Sequence, residues 1–166
     1  MVDLLVEQGF EVVVIDNLAT GRLENLAQHG SNPRVAVHRG DLCDLPRDSA
    51  LFHGVEYVFH FGGIGDIVPS IERPLDYMRA NVTGTLAVLE ASRRAGVRKV
   101  VYAASSSCYG LATELPTSES APIRPEYPYA LSKYLGECAA LHWAQVYRLP
   151  VISIRMFNVY GPRVRT

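Results

Sequence analysis

Short, continuously apolar runs alternate along this chain with longer stretches in which apolar residues recur every three or four positions. The runs are Val12–Ile15, Val35–His38, Val55–His60, Lys99–Ala103 and Val151–Arg155. An unbroken β-branched run such as Val12-Val13-Val14-Ile15 is the pattern of a strand buried on both faces of a parallel sheet. Met1–Gln8 places Val2, Leu5 and Val6 on one face ahead of Gly9, a good helix-ending residue, and predicts a short helix. Arg22–His29, closed by Gly30, predicts a brief helix, and Asp44 with Pro46 predicts another that stops at His53-Gly54. Leu75, Met78, Val82, Leu86 and Leu89 predict one long helix over Pro74–Ala95, ended by Gly96. A last helix is predicted from Pro128 to Arg148, and the proline-rich stretch Leu111–Pro125 predicts a loop. Strands alternating with helices argue for right-handed βαβ units and a doubly wound parallel α/β sheet. Ligands of such sheets bind beyond the carboxyl ends of the strands. Asp16, Asp41, Phe61–Gly63, Ser105 and Phe157-Asn158 fall at those ends.

Composition narrows the function classes. A length of 166 residues suits one domain, and 48% hydrophobic with 20% charged residues describes a soluble globular protein. A net charge of −1 makes no electrostatic case for nucleic acid or an anionic membrane. No apolar run is long enough to cross a bilayer, and no signal peptide precedes Asp3. Cys43, Cys108 and Cys138 are odd in number and far apart, which suits reduced thiols in a cytoplasmic compartment. The histidines at 29, 38, 53, 60 and 142 show no ligand spacing, and no metal is expected.

The chemistry centres on Tyr129-Ala130-Leu131-Ser132-Lys133, with Ser105-Ser106-Ser107 upstream. Tyr and Lys at i and i+4 share one helix face. A free phenol titrates near ~10, and a fixed ammonium one turn away favours the phenolate. A hydroxyl from another element can then hydrogen-bond both the phenol and a substrate alcohol, which makes a proton-transfer device. The plainer reading is an amphipathic helix with an ordinary tyrosine and a solvated lysine. Asp16 closes a strand where an acidic residue accepts hydrogen bonds from an adenosine ribose and repels a 2′-phosphate, favouring NAD over NADP. With Asn17 it equally suits a turn. Asp41 can accept from an adenine amino group while the Leu42 backbone faces the ring, or can simply form a turn. Gly62, Gly63 and Gly65 permit close backbone approach to a ligand, or a flexible loop. Asn81, a modest helix former inside a helix, is either a surface residue or a site residue.

Six segments, in order, resemble the extended short-chain dehydrogenase/reductase family, in particular its nucleotide-sugar epimerases and dehydratases. They are Val14-Ile15-Asp16-Asn17, Gly40-Asp41-Leu42, Asn81–Thr85, Ser105–Gly110, Tyr129–Lys133 and Arg155–Pro162. The resemblance implies Tyr129 as base, Lys133 as its electrostatic partner and a ligand of the nicotinamide ribose, Ser105 as the catalytic hydroxyl and Asn81 as the helix asparagine of the active site. It implies a Rossmann-like fold holding NAD through Asp16, Asn17, Asp41, Leu42, Phe61, Gly62, Gly63, Ala103, Tyr129, Lys133 and Phe157. The substrate would be a nucleotide sugar, a UDP-sugar, met by Ser106, Ser107 and Asn158. Ser106 and Ser107 stand where 4,6-dehydratases carry an Asp-Glu pair, which favours simple 4-epimerisation. A homodimer is implied, packed through the helices around Leu75–Ala95 and Tyr129–Trp143, with Leu135, Leu141 and Trp143 at the seam.

The chain departs from the pattern at His60-Phe61-Gly62-Gly63, Met156 and Cys108, positions that bear on substrate identity. The family's first strand with its glycine-rich loop, and its C-terminal substrate domain, are expected to lie outside these residues, so that 1–166 is a partial NAD-binding domain. With a strand order of 3-2-1-4-5-6, that first strand belongs between Val12–Ile15 and Val55–His60, and a gap or a makeshift pairing is expected there. A dehydratase or decarboxylase on the same scaffold, or a truncated, non-catalytic nucleotide-binding protein, are the alternative readings.

Overall fold

The five apolar runs are the five strands of the computed structural model, which describes residues 1–112 and 114–163. They are β1 (Val12–Asp16), β2 (Val35–Arg39), β3 (Tyr57–His60), β4 (Lys99–Ser105) and β5 (Val151–Met156). All their pairings are parallel. Among the described residues, β1 pairs only with β2, while β3, β4 and β5 form a separate three-stranded sheet in that order. The expected gap between β1 and β3 is therefore present, and no makeshift ladder fills it. Thr113, inside the predicted loop, lies outside the described residues.

The helices are α1 (Val2–Glu7), α2 (Ile67–Glu72), α3 (Pro74–Met78), α4 (Gly84–Ala95) and α5 (Pro128–Tyr147). Several expectations need correction. The long helix over Pro74–Ala95 is interrupted: residues Arg79–Thr83 form a π-helical segment between α3 and α4. Sequence periodicity misses α2 altogether. The helices predicted at 22–29 and after Asp44 are 3-10 turns, Leu23–His29, Leu42–Asp44 and Ala50–Phe52. Asp41 rather than Asp44 caps the second of these, accepting from the Cys43 N–H at 2.9 Å. Val13 of β1, expected to be buried on both faces of the sheet, is 44% exposed because no described residue packs over it. Gly9 does end α1, at φ 88°, and Gly96 ends α4 in the left-handed region at φ 69°.

The core lies on one face of the three-stranded sheet. Val100, Tyr102 and Ala104 alternate along β4 and meet Val88 and Leu89 of α4 and Ala140 of α5. Alternation alone sends these three residues to the helix side. Closest approach falls at Gly136, where α5 crosses both β4 and the π segment. A Cβ there would clash with the Tyr102 hydroxyl and lie 2.8 Å from the Asn81 carbonyl oxygen. Neither obstacle is the loose end of a flexible side chain.

Alanine normally stabilises a helix relative to glycine by ~1 kcal/mol. At this crossing the steric cost wins, because overpacking a tight core costs about 1–3 kcal/mol. Gly136→Ala is expected to lower the urea midpoint of unfolding, and an unchanged or raised midpoint would show that the crossing has slack.

Candidate active site

Strand β4 ends at Ser105, and the Ser105 side chain starts the 3-10 turn Ser106–Tyr109 by accepting the Ser107 N–H at 3.2 Å. Its hydroxyl donates to Ser107 Oγ at 3.0 Å. Facing it, α5 opens on Pro128, whose fixed φ suits the first turn and whose missing N–H is not needed there. This sets the Tyr129 hydroxyl 3.4 Å from Ser105 Oγ. That separation is long for an O–H···O bond and leaves the pair able to share a third oxygen. The Tyr77 ring meets Tyr129 edge-on, with centroids 6.3 Å apart, and fixes the plane of the phenol.

One turn along α5, Lys133 is buried, only 8% exposed, with Nζ 4.7 Å from the centroid of the Tyr102 ring. The Tyr102 hydroxyl donates to the Lys133 carbonyl at 3.1 Å, so the same ring grips both ends of the residue. Burial pushes the Lys133 ammonium down to about 8, against an opposing pull from Glu137. The plainer reading of a solvated lysine does not hold.

Asn81 is a buried residue, not a surface one. It sits in the π segment, whose extra residue per turn turns side chains off the regular helix face. Its Oδ1 accepts the Ile64 N–H at 2.8 Å, and its Nδ2 donates to the Ile64 carbonyl at 3.0 Å and to Ser132 Oγ at 2.9 Å. Ser132 Oγ in turn donates to the Tyr129 carbonyl at 2.8 Å. A hydrogen-bonded path thus runs from the loop after β3 to the backbone under Tyr129. Thr85 Oγ1 donates to the Asn81 carbonyl at 2.7 Å, so its contact with His60 Nε2 at 2.8 Å requires the imidazole to donate. Burial first, and the Lys133 charge second, push His60 down to about 3. His60 is therefore a neutral, structural imidazole.

The remaining expected residues line the strand ends. Asp16 Oδ1 accepts the Leu18 N–H at 2.7 Å and Asn17 Oδ1 the Ala19 N–H at 2.9 Å, so both form turns. Gly21 folds against the Asp16 carboxylate, where a Cβ would lie 2.6 Å from Oδ2. Asp41 is occupied by the Cys43 N–H, which chiefly holds its carboxyl below the usual range, and by Arg79 at 3.4 Å. Leu42 reaches under Gly62, whose missing Cβ makes the room, and a Cβ on Gly63 would lie 2.5 Å from Asn81 Oδ1. Ala103 is buried in β4, while Phe61 and Phe157 are exposed at strand ends, as is Asn158. Ser106, Ser107 and Phe157 line a cavity of about 240 Å³ together with Ile67, Tyr109 and Tyr127. A second cavity of about 430 Å³ lies between residues 19–22 and 64–77. The structure thus brings Ser105, Tyr129, Lys133 and Asn81 together, and spreads the other residues along one edge of the two sheets. Sequence reasoning gave no role to Tyr77, Tyr102, Thr85, Glu137 or Arg155. Thr85 and Glu137 had a signal, each standing four residues after a chosen residue on a helix. Tyr77, Tyr102 and Arg155 had none.

A buried lysine that titrates low makes stability pH-dependent, with a definite sign. The folded chain releases the Lys133 proton near 8 and the unfolded chain near 10.5. Between those values the unfolded state holds more protons, so unfolding free energy rises with pH through this window. The penalty below the window is about 3 kcal/mol by the usual conversion. Urea unfolding from pH 7.5 to 11 is expected to show that rise in the parent chain, and Lys133→Met is expected to abolish this component. Parallel profiles for the two proteins would place the lysine in a solvated state.

Comparison with known proteins bears on this geometry. The family model for the NAD dependent epimerase/dehydratase family matches residues 1–166. A UDP-glucose 4-epimerase of Mycolicibacterium smegmatis is 36% identical, covering 98% of this chain and 53% of its own. The solved structure of a UDP-N-acetylglucosamine 4-epimerase from Methanobrevibacter ruminantium superposes with a TM-score of 0.92 at 31% identity, over 98% of this chain and 51% of that one. A dTDP-glucose 4,6-dehydratase from Streptomyces venezuelae, solved with NAD bound, gives a TM-score of 0.91 at 31% identity, over 97% and 52%. The chain spans about half the length of the curated relatives it matches. No described helix is long and apolar enough to cross a membrane. With a parallel α/β sheet, a serine, tyrosine and lysine gathered at its strand ends, and a match along its whole length, this chain belongs to the NAD-dependent epimerase/dehydratase family.

Proposed function

We propose that these residues are the partial NAD-binding domain of a nucleotide-sugar 4-epimerase, and that Ser105, Tyr129, Lys133 and Asn81 form its catalytic set. The observation that carries the reading is the Tyr129 hydroxyl poised 3.4 Å from Ser105 Oγ above a buried Lys133. The strand ends suit the cofactor in kind: a carboxylate at Asp16, the backbone of Gly62 and Gly63, whose Cβ sides face Leu42 and Asn81, and an ammonium at Lys133 for the nicotinamide ribose. Asn17, Asp41, Leu42, Phe61, Ala103 and Phe157 complete that surface. Asp16 also disfavours a 2′-phosphate by like-charge repulsion. Bound NAD supplies the hydride acceptor, and later the donor, at the sugar C4.

The chain's own residues handle the proton. Tyr129 takes the proton of the C4 hydroxyl as that carbon is oxidised to a ketone, and returns it once the sugar has turned its other face. Ser105 holds the same oxygen by hydrogen bonding, which keeps it within reach of the phenol. The Lys133 ammonium stabilises the phenolate that Tyr129 must be before it takes that proton, and becomes again once it has returned it. Asn81 acts through Ser132 to hold the backbone of Tyr129. Ser106, Ser107 and Asn158 would meet the nucleotide sugar, a UDP-sugar in this reading. Neither Ser106 nor Ser107 is a carboxylate that could drive loss of water from the ring, so epimerisation is favoured over dehydration.

In the full-length protein carrying this segment, Tyr129→Phe is expected to cut turnover of a UDP-hexose by ~10²–10⁴-fold and to leave NAD binding intact. Turnover at the parent rate would remove Tyr129 from the mechanism.

The same protein is proposed to be a cytoplasmic homodimer. Val68 and Ile71 of α2, Leu75 of α3, and Leu131, Leu135 and Leu141 of α5 are exposed apolar residues on the helix layer. Trp143 is not among them, since it packs on the core and against Tyr147. Sedimentation of the full-length protein is expected to give a dimer that Leu135→Glu with Leu75→Glu weakens. A monomer in the parent would assign that face to another partner.

A further inference from the structure

Glu137 is a charged residue that the proton-transfer scheme leaves unused, yet it is only 4% exposed. It stands four residues after Lys133, on the same face of α5. Both carboxylate oxygens accept from Arg155 Nε at 3.0 Å, and Oε1 also accepts from Ser153 Oγ at 2.8 Å. Arg155 goes further: its Nη1 donates to the Tyr109 hydroxyl at 2.8 Å and to the Glu119 carbonyl at 3.4 Å. Its guanidinium also stacks 5.0 Å from the Tyr109 ring centroid. This one ion pair therefore joins three segments: the helix of Tyr129 and Lys133, the turn that begins at Ser105, and the strand that leads to Phe157 and Asn158.

A buried ion pair is a poor way to gain stability, because apolar residues of similar size often do as well. Its specific effect here is electrostatic. The charged and titratable groups that bear on Lys133 are His60 from β3, the Tyr102 ring from β4, and Tyr129 and Glu137 from α5, with Arg155 behind Glu137. Among these, Glu137 is the carboxylate that favours the ammonium form, beside the weaker attraction of the Tyr102 ring face. His60 is neutral, and Tyr102 offers only the face of its ring.

We propose that Glu137, fixed by Arg155, is the positioning residue of the Tyr129/Lys133 pair: its buried carboxylate keeps the Lys133 ammonium charged and seated against Tyr102. Glu137 touches neither substrate nor cofactor in this role; it acts through Lys133. The proposal rests on the catalytic reading of Lys133 for its functional meaning, while its physical content can be measured without turnover.

The chain contains two lysines, Lys99 and Lys133, and Lys99 begins β4 in an exposed position. Labelling with ¹³Cε-lysine therefore gives two side-chain signals, one of them solvent-like, in the 166-residue chain itself. Glu137→Gln is expected to move the Lys133 titration midpoint down by about one pH unit or more, with Lys99 unmoved. Glu137→Asp is expected to return most of that shift. The paired replacement Glu137→Gln with Arg155→Met leaves no guanidinium stranded beside the missing carboxylate, so it serves if the single variant fails to fold, and it carries the same expectation. An unchanged Lys133 midpoint in any folded variant lacking the carboxylate would overturn the proposal. In the full-length protein, the alkaline limb of the turnover profile should move down with the midpoint. If Tyr129→Phe is fully active while the midpoint still moves, the catalytic reading fails and the electrostatic role of Glu137 stands.

Discussion

Everything around this site is arranged to bury one ammonium group. A lysine is almost never fully buried unless something compensates it, because desolvation disfavours the charged form. At Lys133 the compensation comes from below and from the side: the face of Tyr102 at 4.7 Å and the carboxylate of Glu137 one turn on. The Tyr102 contact demands that α5 lie close on β4. The sequence meets that demand with small residues on the buried face of the helix, Ala130, Ser132, Gly136 and Ala140. A wider helix face would lift Lys133 off the ring, and Tyr129 would move with it.

The second constraint is polar. Tyr129 sits in the first turn of α5, where N–H groups have no helical partner and the backbone is free to fray. Its carbonyl accepts from Ser132 Oγ within the same turn, and Ser132 is held from outside the helix by Asn81. Asn81 can reach because the π segment breaks the regular helix at that point. The same break releases the Asn81 carbonyl to Thr85, and through Thr85 to His60 at the end of β3. The end of β3, the loop after it, the π segment and the first turn of α5 are thus held in one hydrogen-bonded set in which the key donors and acceptors are matched. Matched sets of this kind resist displacement, since breaking one bond strands a buried partner.

Strand positions, the long C-terminal helix and the Ser105, Tyr129 and Lys133 group were legible because each rests on local pattern: β-branched runs, 3.6-residue periodicity and an i,i+4 pair. The short turns were not. Leu42–Asp44 and Ala50–Phe52 contain residues compatible with an α-helix, but Leu45 turns extended ahead of Pro46 and the stretch breaks into single turns. The π segment was invisible for a similar reason, since Leu75 to Leu89 keep helical spacing on both sides of one inserted residue. Val13 misled because a run of valines looks alike whether one face is covered or two. Glu137 and Arg155 lie 18 residues apart on different elements, so nothing local announces their pairing. In the site, then, Ser105, Asn81, Tyr129 and Lys133 could be picked out from the chain, but not the Tyr102 ring or the Glu137–Arg155 pair packed around them.

The two sheets raise a last question of mechanics, because among the described residues no ladder connects the strand ends bearing Asp16 and Asp41 to those bearing Ser105. The connection runs instead through the turn after β2. Arg79 of the π segment pairs with Asp41 at 3.4 Å and Asp44 at 3.2 Å, and the Cys43 thiol donates to the Arg79 carbonyl at 3.2 Å. Exposed ion pairs of this sort contribute ~0–1 kcal/mol, too little to fix one sheet against the other. Leu42 supplies what they lack. It packs on the main core, with Gly62 on one side and Gly84 on the other, each close enough that a Cβ would press on the leucine. Full burial of a leucine stabilises by about 1.5–3 kcal/mol, of which the partly buried Leu42 gains a share, and its position is dictated by shape rather than by charge. The glycines at 62 and 84 therefore serve the fold before they serve any ligand: they let one apolar side chain lock the Asp41 turn against the helix that carries Asn81.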